Sequence, residues 1–222
     1  MLKAVFPVDV QTDKATYEIQ FGTIERPTHS NTTWDQAKFE VCAHKYADLS
    51  EGGYGVSLLN NCKYGHDIHD GVMQLSLLRS PTYPNPEADQ GEITVTYALC
   101  PHKGRLSDSK IAELAYDLNL PMTAVRATGS EDRIPLQFSA LTLDCDHVMC
   151  ETVKEEEKGT GRILRLYEYK NVRDHVTLTV GLPAQKAYLC DLMEQELCEL
   201  PICDGKIELD IKGFEILTVK LV

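Results

Sequence analysis

The chain has 222 residues, of which 43% are hydrophobic and 25% charged, and its 34 acidic and 22 basic residues give a net charge of −12. This composition excludes a disordered or collagen-like chain, and the length suits one large domain or two smaller ones. The negative charge disfavours nucleic acid and anionic membranes as partners. No apolar run approaches the ~18 residues of a membrane span, and the N-terminus lacks a signal-peptide pattern. We therefore expect a soluble, cytoplasmic protein with neither nucleic acid nor membrane as a partner.

Eight cysteines are spread along the chain without any C-x-x-C pair. Structural zinc sites and redox motifs need closer pairs than this. Without a secretion signal, we expect reduced thiols that pack as small apolar residues.

In chain order, the dominant pattern is an alternation of apolar and polar residues, which predicts half-buried strands. It covers residues 15–21 and 93–99 in the first half, and 176–182 and 207–211 in the second. The apolar face of the first two is expected to carry Ala15, Tyr17, Ile19 and Phe21, then Ile93, Val95, Tyr97 and Leu99. That of the last two is expected to carry Val176, Leu178, Val180 and Leu182, then Ile207, Leu209 and Ile211.

Turn signals punctuate these strands, notably Glu51-Gly52-Gly53, Asp70-Gly71, Lys158-Gly159-Thr160-Gly161 and Asp204-Gly205. Many short strands joined by such turns indicate antiparallel β-sandwiches and disfavour a parallel α/β architecture. The predicted fold class is therefore all-β.

One stretch predicts a helix, because Ile111, Leu114, Ala115 and Leu118 follow helical spacing. We expect Ser107 or Asp108 to cap it and Pro121 to stop it. Beyond this helix the residues from Gly129 are polar, and a new β pattern begins near Leu136. The predicted domains are therefore residues 1–128 and 129–222.

The region from Glu25 to Gly65 is unusually rich in aromatic and polar side chains. Its candidates for sugar recognition are Trp34, Asp35, Asn60 and Tyr64. Sugar sites use these residue types, because an aromatic ring stacks on the sugar face and polar groups pair with hydroxyls. A polar network between domains remains an equal alternative.

Catalytic motifs are missing from the sequence. There is no G-x-S-x-G elbow, phosphate-binding glycine loop or H-E-x-x-H motif. His66 and His69 have a spacing that suits two metal ligands, but they flank a turn-like segment and no third ligand lies nearby, so we expect no metal there. The residues alone indicate a β-rich binding or accessory domain.

Several longer motifs together carry a family resemblance. They are Arg26-Pro27-Thr28-His29, Asn31-Thr32-Thr33-Trp34-Asp35, Leu58-Leu59-Asn60-Asn61-Cys62-Lys63-Tyr64-Gly65, Leu75-Ser76-Leu77-Leu78-Arg79-Ser80-Pro81, Glu87-Ala88-Asp89-Gln90-Gly91, Arg165-Leu166-Tyr167-Glu168 and Phe214-Glu215-Ile216. The chain resembles the C-terminal half of α-mannosidases of glycoside hydrolase family 38, and is most similar to the cytosolic-type branch. The resemblance covers nearly the whole chain.

The resemblance implies a retaining α-mannosidase that removes terminal α-mannose from oligosaccharides. It also implies that the nucleophile, the acid/base carboxylate and the zinc ion belong to an upstream domain that this chain lacks. The chain has no catalytic residue, metal ligand or cofactor of its own in this interpretation, so we expect it to be inactive alone. Its partners would be the upstream catalytic domain and a mannose-containing oligosaccharide.

The resemblance further implies the later strands of a galactose-mutarotase-like super-sandwich, followed by a smaller β-sandwich. Arg79 and Asp89 become candidates for the rim of the sugar site, with a structural loop pair as the alternative. The first sandwich would be incomplete, and its exposed sheet edge predicts a homo-oligomer. A free-standing carbohydrate-binding module and a purely structural or oligomerisation domain remain alternative functions.

Overall fold

A computed structural model describes residues 1–126 and 137–222. The chain divides into two compact units, Met1–Val125 and Arg126–Val222. The start of the second predicted domain, at Gly129, lies outside the described residues. In both units the strands pair antiparallel, so the all-β fold class is confirmed.

The first unit is a two-sheet sandwich with a helix on one outer face. Its four-stranded sheet has the order β1-β8-β7-β4 and its five-stranded sheet the order β3-β2-β5-β6-β9. The strands are β1 (Leu2–Pro7), β2 (Lys14–Ile19), β3 (Gly22–Pro27), β4 (Val41–Cys42), β5 (Tyr46–Ser50), β6 (Tyr54–Asn60), β7 (Gly65–His69), β8 (Val72–Leu78) and β9 (Tyr97–Lys103). The helices are α1 (Thr33–Gln36) and α2 (Ile111–Asn119), with a 3₁₀ turn at Leu106–Asp108.

The core of the first unit lies between these sheets. Tyr17 and Leu58 enter it from the five-stranded sheet, and Ile68, Met73 and Leu75 enter it from the four-stranded sheet. Each of the five is at most 1% exposed. Burial of this apolar surface is the main force that holds the two sheets together.

Helix α2 covers the other face of the five-stranded sheet, as Ile111 and Ala115 are buried there. Two polar contacts fix it: Asn119 Nδ2 donates to the backbone oxygen of Asn60 at 3.1 Å, and Lys45 Nζ lies 4.4 Å from the centre of the Tyr116 ring. Lys45 also donates to Glu18 Oε1 at 2.9 Å. The helix is therefore an anchored part of the first unit.

The N-terminal cap of the helix differs from prediction. Ser107 and Asp108 form the preceding 3₁₀ turn and do not cap the helix. Lys110 is the N-cap residue and its side chain makes no capping hydrogen bond, while Ser109 Oγ accepts the Ile111 backbone N–H at 3.3 Å. The helix ends at Asn119, two residues before Pro121, as predicted.

The second unit is a smaller sandwich. Its sheets have the orders β10-β13-β16 and β11-β12-β17-β14-β15. The strands are β10 (Leu141–Leu143), β11 (Val148–Glu155), β12 (Arg162–Glu168), β13 (Asp174–Val180), β14 (Ala187–Cys190), β15 (Glu196–Leu200), β16 (Lys206–Ile211) and β17 (Ile216–Leu221). The alternation predicted for residues 176–180 and 207–211 is confirmed, because their apolar side chains lie in the core of this unit.

One buried carboxylate holds two loops of the second unit. Glu168 is fully buried, and its Oε1 accepts the backbone N–H of Lys170 at 2.7 Å. Its Oε2 accepts those of Asn171 at 2.9 Å and Phe214 at 2.8 Å. Glu168 thus satisfies donors from the β12–β13 loop and the β16–β17 turn, and Glu168 and Phe214 themselves belong to motifs of the sequence resemblance.

The predicted turns at Asp70-Gly71 and Asp204-Gly205 are confirmed. All four residues have positive φ, between 50° and 73°, as a two-residue hairpin turn requires. Phe21 was expected on a strand face, but it lies in the β2–β3 turn with φ of 55°. The strand near residue 93 begins only at Tyr97, so Ile93 and Val95 precede it.

The cysteines are all free, but their burial differs from expectation. Only Cys190 is buried, while Cys42, Cys62, Cys198 and Cys203 are exposed. The prediction that the thiols pack as small apolar residues is therefore wrong for these four cysteines. Among the described residues, no helix is both long and apolar enough to cross a membrane.

Candidate functional site

The four-stranded sheet brings two predicted site residues to one end. Tyr64 directly precedes β7, and Arg79 directly follows β8. These strands are antiparallel neighbours with His66 opposite Leu75. The start of β7 and the end of β8 therefore lie together, and we call this end of the two strands the Tyr64–Arg79 end.

A short loop fixes the backbone at Arg79. Asp89 Oδ2 accepts the backbone N–H of Ser80 at 2.7 Å and that of Arg79 at 3.2 Å. Ser80 and Asp89 both have positive φ, at 50° and 59°. Within the described part of the chain, the exposed Arg79 guanidinium makes no hydrogen bond or ion pair. Asp89 thus holds the loop, and Arg79 presents a charge with five free donors.

Tyr64 and Glu40 add an aromatic ring and an acid to the same end. The Tyr64 side chain is 59% exposed, and its ring packs edge-on against His44 with centroids 5.4 Å apart. Glu40 accepts a hydrogen bond from Ser76 of β8. An exposed aromatic ring can stack on a sugar face, and carboxylate and guanidinium groups can bind sugar hydroxyls.

Local structure occupies the polar group of Asp35. The residue lies in the one-turn helix α1, where its backbone N–H donates to Thr32 Oγ1 at 3.1 Å. Its Oδ2 accepts the Thr32 hydroxyl at 2.7 Å, and this hydrogen bond lowers the pKa of the Asp35 carboxyl below its usual value. Asp35 is therefore the third helical residue of a capping box in which Thr32 is the N-cap, whereas its neighbour Trp34 is 79% exposed.

Asn60 builds a turn within the protein. It is 1% exposed, and its Oδ1 accepts the backbone N–H groups of Cys62 at 3.1 Å and Lys63 at 2.6 Å. Its Nδ2 donates to the backbone oxygen of His44 at 3.0 Å. Asn60 therefore supports the chain that leads to Tyr64 and has no free group for a ligand.

A buried network that the sequence did not predict joins Asp48 and His102. Asp48 is 1% exposed, and its Oδ1 accepts Ser57 Oγ at 2.5 Å and His102 Nε2 at 2.8 Å. Gly55 leaves space for the imidazole, because a Cβ there would lie 2.3 Å from His102 Cε1. The serine, histidine and aspartate resemble a catalytic set in composition, but Asp48 and Ser57 are closed to solvent. This network is structural.

His66 and His69 do not form a pair of ligands. They lie on opposite faces of β7, with His66 buried and its Nδ1 3.2 Å from the backbone oxygen of Tyr64. His69 Nδ1 lies 2.8 Å from Asp67 Oδ1 on the other face. Burial lowers the pKa of His66 to about 4. Across residues 1–126 and 137–222 there is no group of three side chains suited to a metal ion, so the described residues do not fit a zinc site.

Family models match both units. A model of the glycosyl hydrolases family 38 C-terminal domain matches residues 1–87, and one of the glycosyl hydrolases family 38 C-terminal beta sandwich domain matches residues 147–219. Together they account for more than half of the chain.

Relatives align over the same regions. Alpha-mannosidase 2C1 of Homo sapiens is 43% identical over 226 aligned residues, which include all of this chain and 22% of that protein. An alpha-mannosidase of Saccharomyces cerevisiae is 54% identical over 118 residues, covering 53% of this chain and 11% of that protein. The chain thus spans about a fifth of the first relative's length.

A solved structure shows the same fold. The crystal structure of an alpha-mannosidase from Enterococcus faecalis V583 superposes with a TM-score of 0.83 at 20% identity, over 99% of this chain and 25% of that one. It matches the sandwich architecture described above. The chain belongs to glycoside hydrolase family 38, and it matches the C-terminal domain and the C-terminal beta sandwich domain of that family.

Proposed function

We propose that this chain is part of a retaining α-mannosidase that removes terminal α-mannose from oligosaccharides, and that it braces the catalytic domain. The observation that carries the proposal is the 43% identity to an alpha-mannosidase over the full chain. Zinc, the nucleophile and the acid/base group then belong to the upstream region, which would supply the chemistry of bond cleavage.

The Tyr64–Arg79 end is the part of the chain that we propose for the rim of the sugar site. The Asp89 carboxylate fixes the backbone of Arg79 while the guanidinium stays exposed. Tyr64 offers an exposed ring at the same end. Preorganisation of this kind lets a side chain bind a hydroxyl without a large loss of loop entropy.

A cytoplasmic location forms part of the proposal. The free cysteines support it, because four of them are exposed and exposed thiols persist in a reducing compartment.

Split complementation tests the function. The chain of residues 1–222 is assayed with an aryl α-mannoside alone, then together with the upstream region of its polypeptide. We expect no turnover alone and turnover on combination. Cleavage by the isolated chain, after removal of contaminating mannosidase, would contradict the proposal.

Substitution of Arg79 tests the rim in the combined enzyme. Arg79→Ala is expected to lower kcat/KM about tenfold, because one charge-assisted hydrogen bond contributes roughly 1.5 kcal/mol or more. Arg173→Ala is the matched control, since Arg173 is also exposed but lies in the second unit. Equal kinetics for the two variants would remove Arg79 from the rim.

A free-standing carbohydrate-binding module is a second candidate, favoured by the exposed indole of Trp34. Calorimetry of residues 1–222 with mannobiose would then show binding that Trp34→Ala weakens. A purely structural or oligomerisation domain predicts a flat titration.

Strand β1 supports self-association, because it lies at a sheet edge with Leu2 and Val5 exposed. Light scattering after size exclusion measures this, and a monomer at high concentration would contradict it.

A further inference from the structure

An exposed loop rich in proline follows β8 at the Tyr64–Arg79 end. It comprises residues 80–90, and we call it the Tyr83 loop. Its base is closed by the Asp89 carboxylate, which accepts the backbone N–H groups of Arg79 and Ser80. Residues 82–87 are all exposed, and Tyr83 itself is 87% exposed. The loop therefore presents its side chains to solvent beside Arg79.

The Tyr83 loop is braced without any help from Tyr83. Asn85 Oδ1 accepts the backbone N–H of Glu87 at 3.0 Å, and the backbone oxygen of Asn85 accepts that of Ala88 at 3.3 Å. Three prolines, at positions 81, 84 and 86, fix further backbone angles. Within residues 1–126 and 137–222, the Tyr83 hydroxyl makes no hydrogen bond and its ring packs on no other ring. The ring is thus free for a ligand on a loop that is already ordered.

Exposed aromatic side chains are concentrated at this end of the first unit. Among the described residues, five aromatic side chains are more than half exposed, namely Trp34, Phe39, Tyr64, Tyr83 and Phe138. Tyr64 directly precedes β7, and Tyr83 lies in the loop after β8. Phe39 precedes Glu40, which accepts a hydrogen bond from Ser76 of β8. Three of the five therefore lie around one pair of strand ends.

The groups beside the Tyr83 ring favour a sugar over a protein partner. The Thr82 hydroxyl, Asn85 Nδ2 and the Glu87 carboxylate make no hydrogen bond in the described part of the chain. The centre of a protein interface is usually apolar, whereas a ring surrounded by free donors and acceptors matches the face and hydroxyls of a sugar.

We propose that Tyr83 is a specificity-determining residue whose ring stacks on the sugar next to the terminal mannose. This rests on the proposed function, which puts the terminal mannose near Arg79. Tyr83 is four residues after Arg79, so their Cα atoms are at most about 14 Å apart, within the span of a short oligosaccharide. Asn85 and Glu87 then bind hydroxyls of the stacked sugar. The complete enzyme would prefer oligosaccharides to mannosides that lack a second sugar.

Amide NMR titration of residues 1–222 with mannobiose tests the site without turnover. We expect shift changes at Tyr83, Asn85 and Ala88 that saturate in the millimolar range. Tyr83→Ala should weaken binding about tenfold, and Tyr83→Phe should restore it because the ring is kept. Tyr54→Ala is the matched control, since Tyr54 is 40% exposed but starts β6 at the end of that strand away from Asn60.

Kinetics of the combined enzyme give a second readout. Tyr83→Ala should raise KM for mannobiose about tenfold with kcat within twofold, because stacking holds substrate and transition state alike. KM for α-mannosyl fluoride, which carries no second sugar, should stay unchanged. Equal changes with both substrates would overturn the proposal, since they would indicate a general disturbance of the site.

The NMR titration decides the proposal even if complementation fails, because it needs no catalysis. Absence of shifts in the Tyr83 loop, or equal binding by Tyr83→Ala, would overturn it. It would also fail if the upstream region shifted the same signals without sugar and Tyr83→Ala weakened that association, because the ring would then be a protein contact. Turnover of an aryl α-mannoside on combination, with unchanged mannobiose kinetics in Tyr83→Ala, would refute this role of Tyr83 and leave the proposed function intact.

Discussion

His66 should make the stability of the first unit depend on pH. Burial lowers the pKa of this histidine from 6.5 to about 4, so the folded chain keeps it neutral where the unfolded chain binds a proton. The unfolded state then holds more protons between these two values, and stability falls as pH decreases through that range. Above pH 6.5 the histidine is neutral in both states, and the first unit has the full stability that the neutral side chain allows.

The expected size follows from the pKa values. A fall from 6.5 to about 4 corresponds to about 3 kcal/mol at 1.36 kcal/mol per pKa unit. Between pH 7 and pH 4.5 most of this, about 2 kcal/mol, should be lost. His66→Gln removes the titration but keeps an N–H group for the backbone oxygen of Tyr64. This variant should lose about 2 kcal/mol less than the parent chain over the same range.

Urea unfolding at a series of pH values measures the difference. Amide NMR signals of Ile68 and Leu75 report on the first unit separately from the second. Carboxylates titrate equally in both proteins, so the comparison isolates His66. Parallel pH profiles for the parent chain and His66→Gln would show that burial does not depress its protonation, and the reasoning would fail.

Three further predictions concern other sites. Glu168→Ala leaves three backbone N–H groups of the second unit without their acceptor. We expect it to reduce the free energy of unfolding of this unit by about 3 kcal/mol, measured in urea, and a change below 1 kcal/mol would show that Glu168 does not hold the two loops together. Gly55→Ala should cost about 2 kcal/mol, because its Cβ would collide with His102, whereas Gly52→Ala has open space; equal melting temperatures would refute this. The hydrogen bond that Asp210 accepts from His175, with Glu208 nearby, raises the pKa of His175, so the stability that it contributes is present below pH 6.5 and is lost as pH rises through the raised value; a pH titration of the imidazole by NMR that shows no upward shift would refute it.

The β architecture was readable from the sequence because alternation reports which side chains face a core. Val176 and Leu178 are buried as their pattern predicted. Tyr97 and Leu99 show the limit of this method. They share the core face of Leu58 but are 41% and 40% exposed, because β9 is an edge strand that the opposite sheet covers only in part. Alternation does not report which neighbours a strand has.

The candidate site was harder to read, because strand register decides which residues meet. Tyr64 and Arg79 are 15 positions apart in the numbering, and only the β7–β8 pairing brings them to one end. Asp48 and His102 are 54 positions apart and meet through β6. Asn60 is of a residue type that often binds ligands, but its side-chain amide hydrogen-bonds the backbone of the following turn. Sequence shows the residue type, and the backbone around it decides its use.

The hydrogen bonds of Glu168 have a consequence for how the β12–β13 loop and the β16–β17 turn tolerate a change in length. A single carboxylate accepts N–H groups from two loops that are far apart in the sequence. A residue inserted in either loop would move the N–H group of that loop away from Glu168 Oε2. The buried carboxylate would then keep only the donors of the other loop. The lengths of these two loops are therefore linked, and purification tags or epitopes belong in neither.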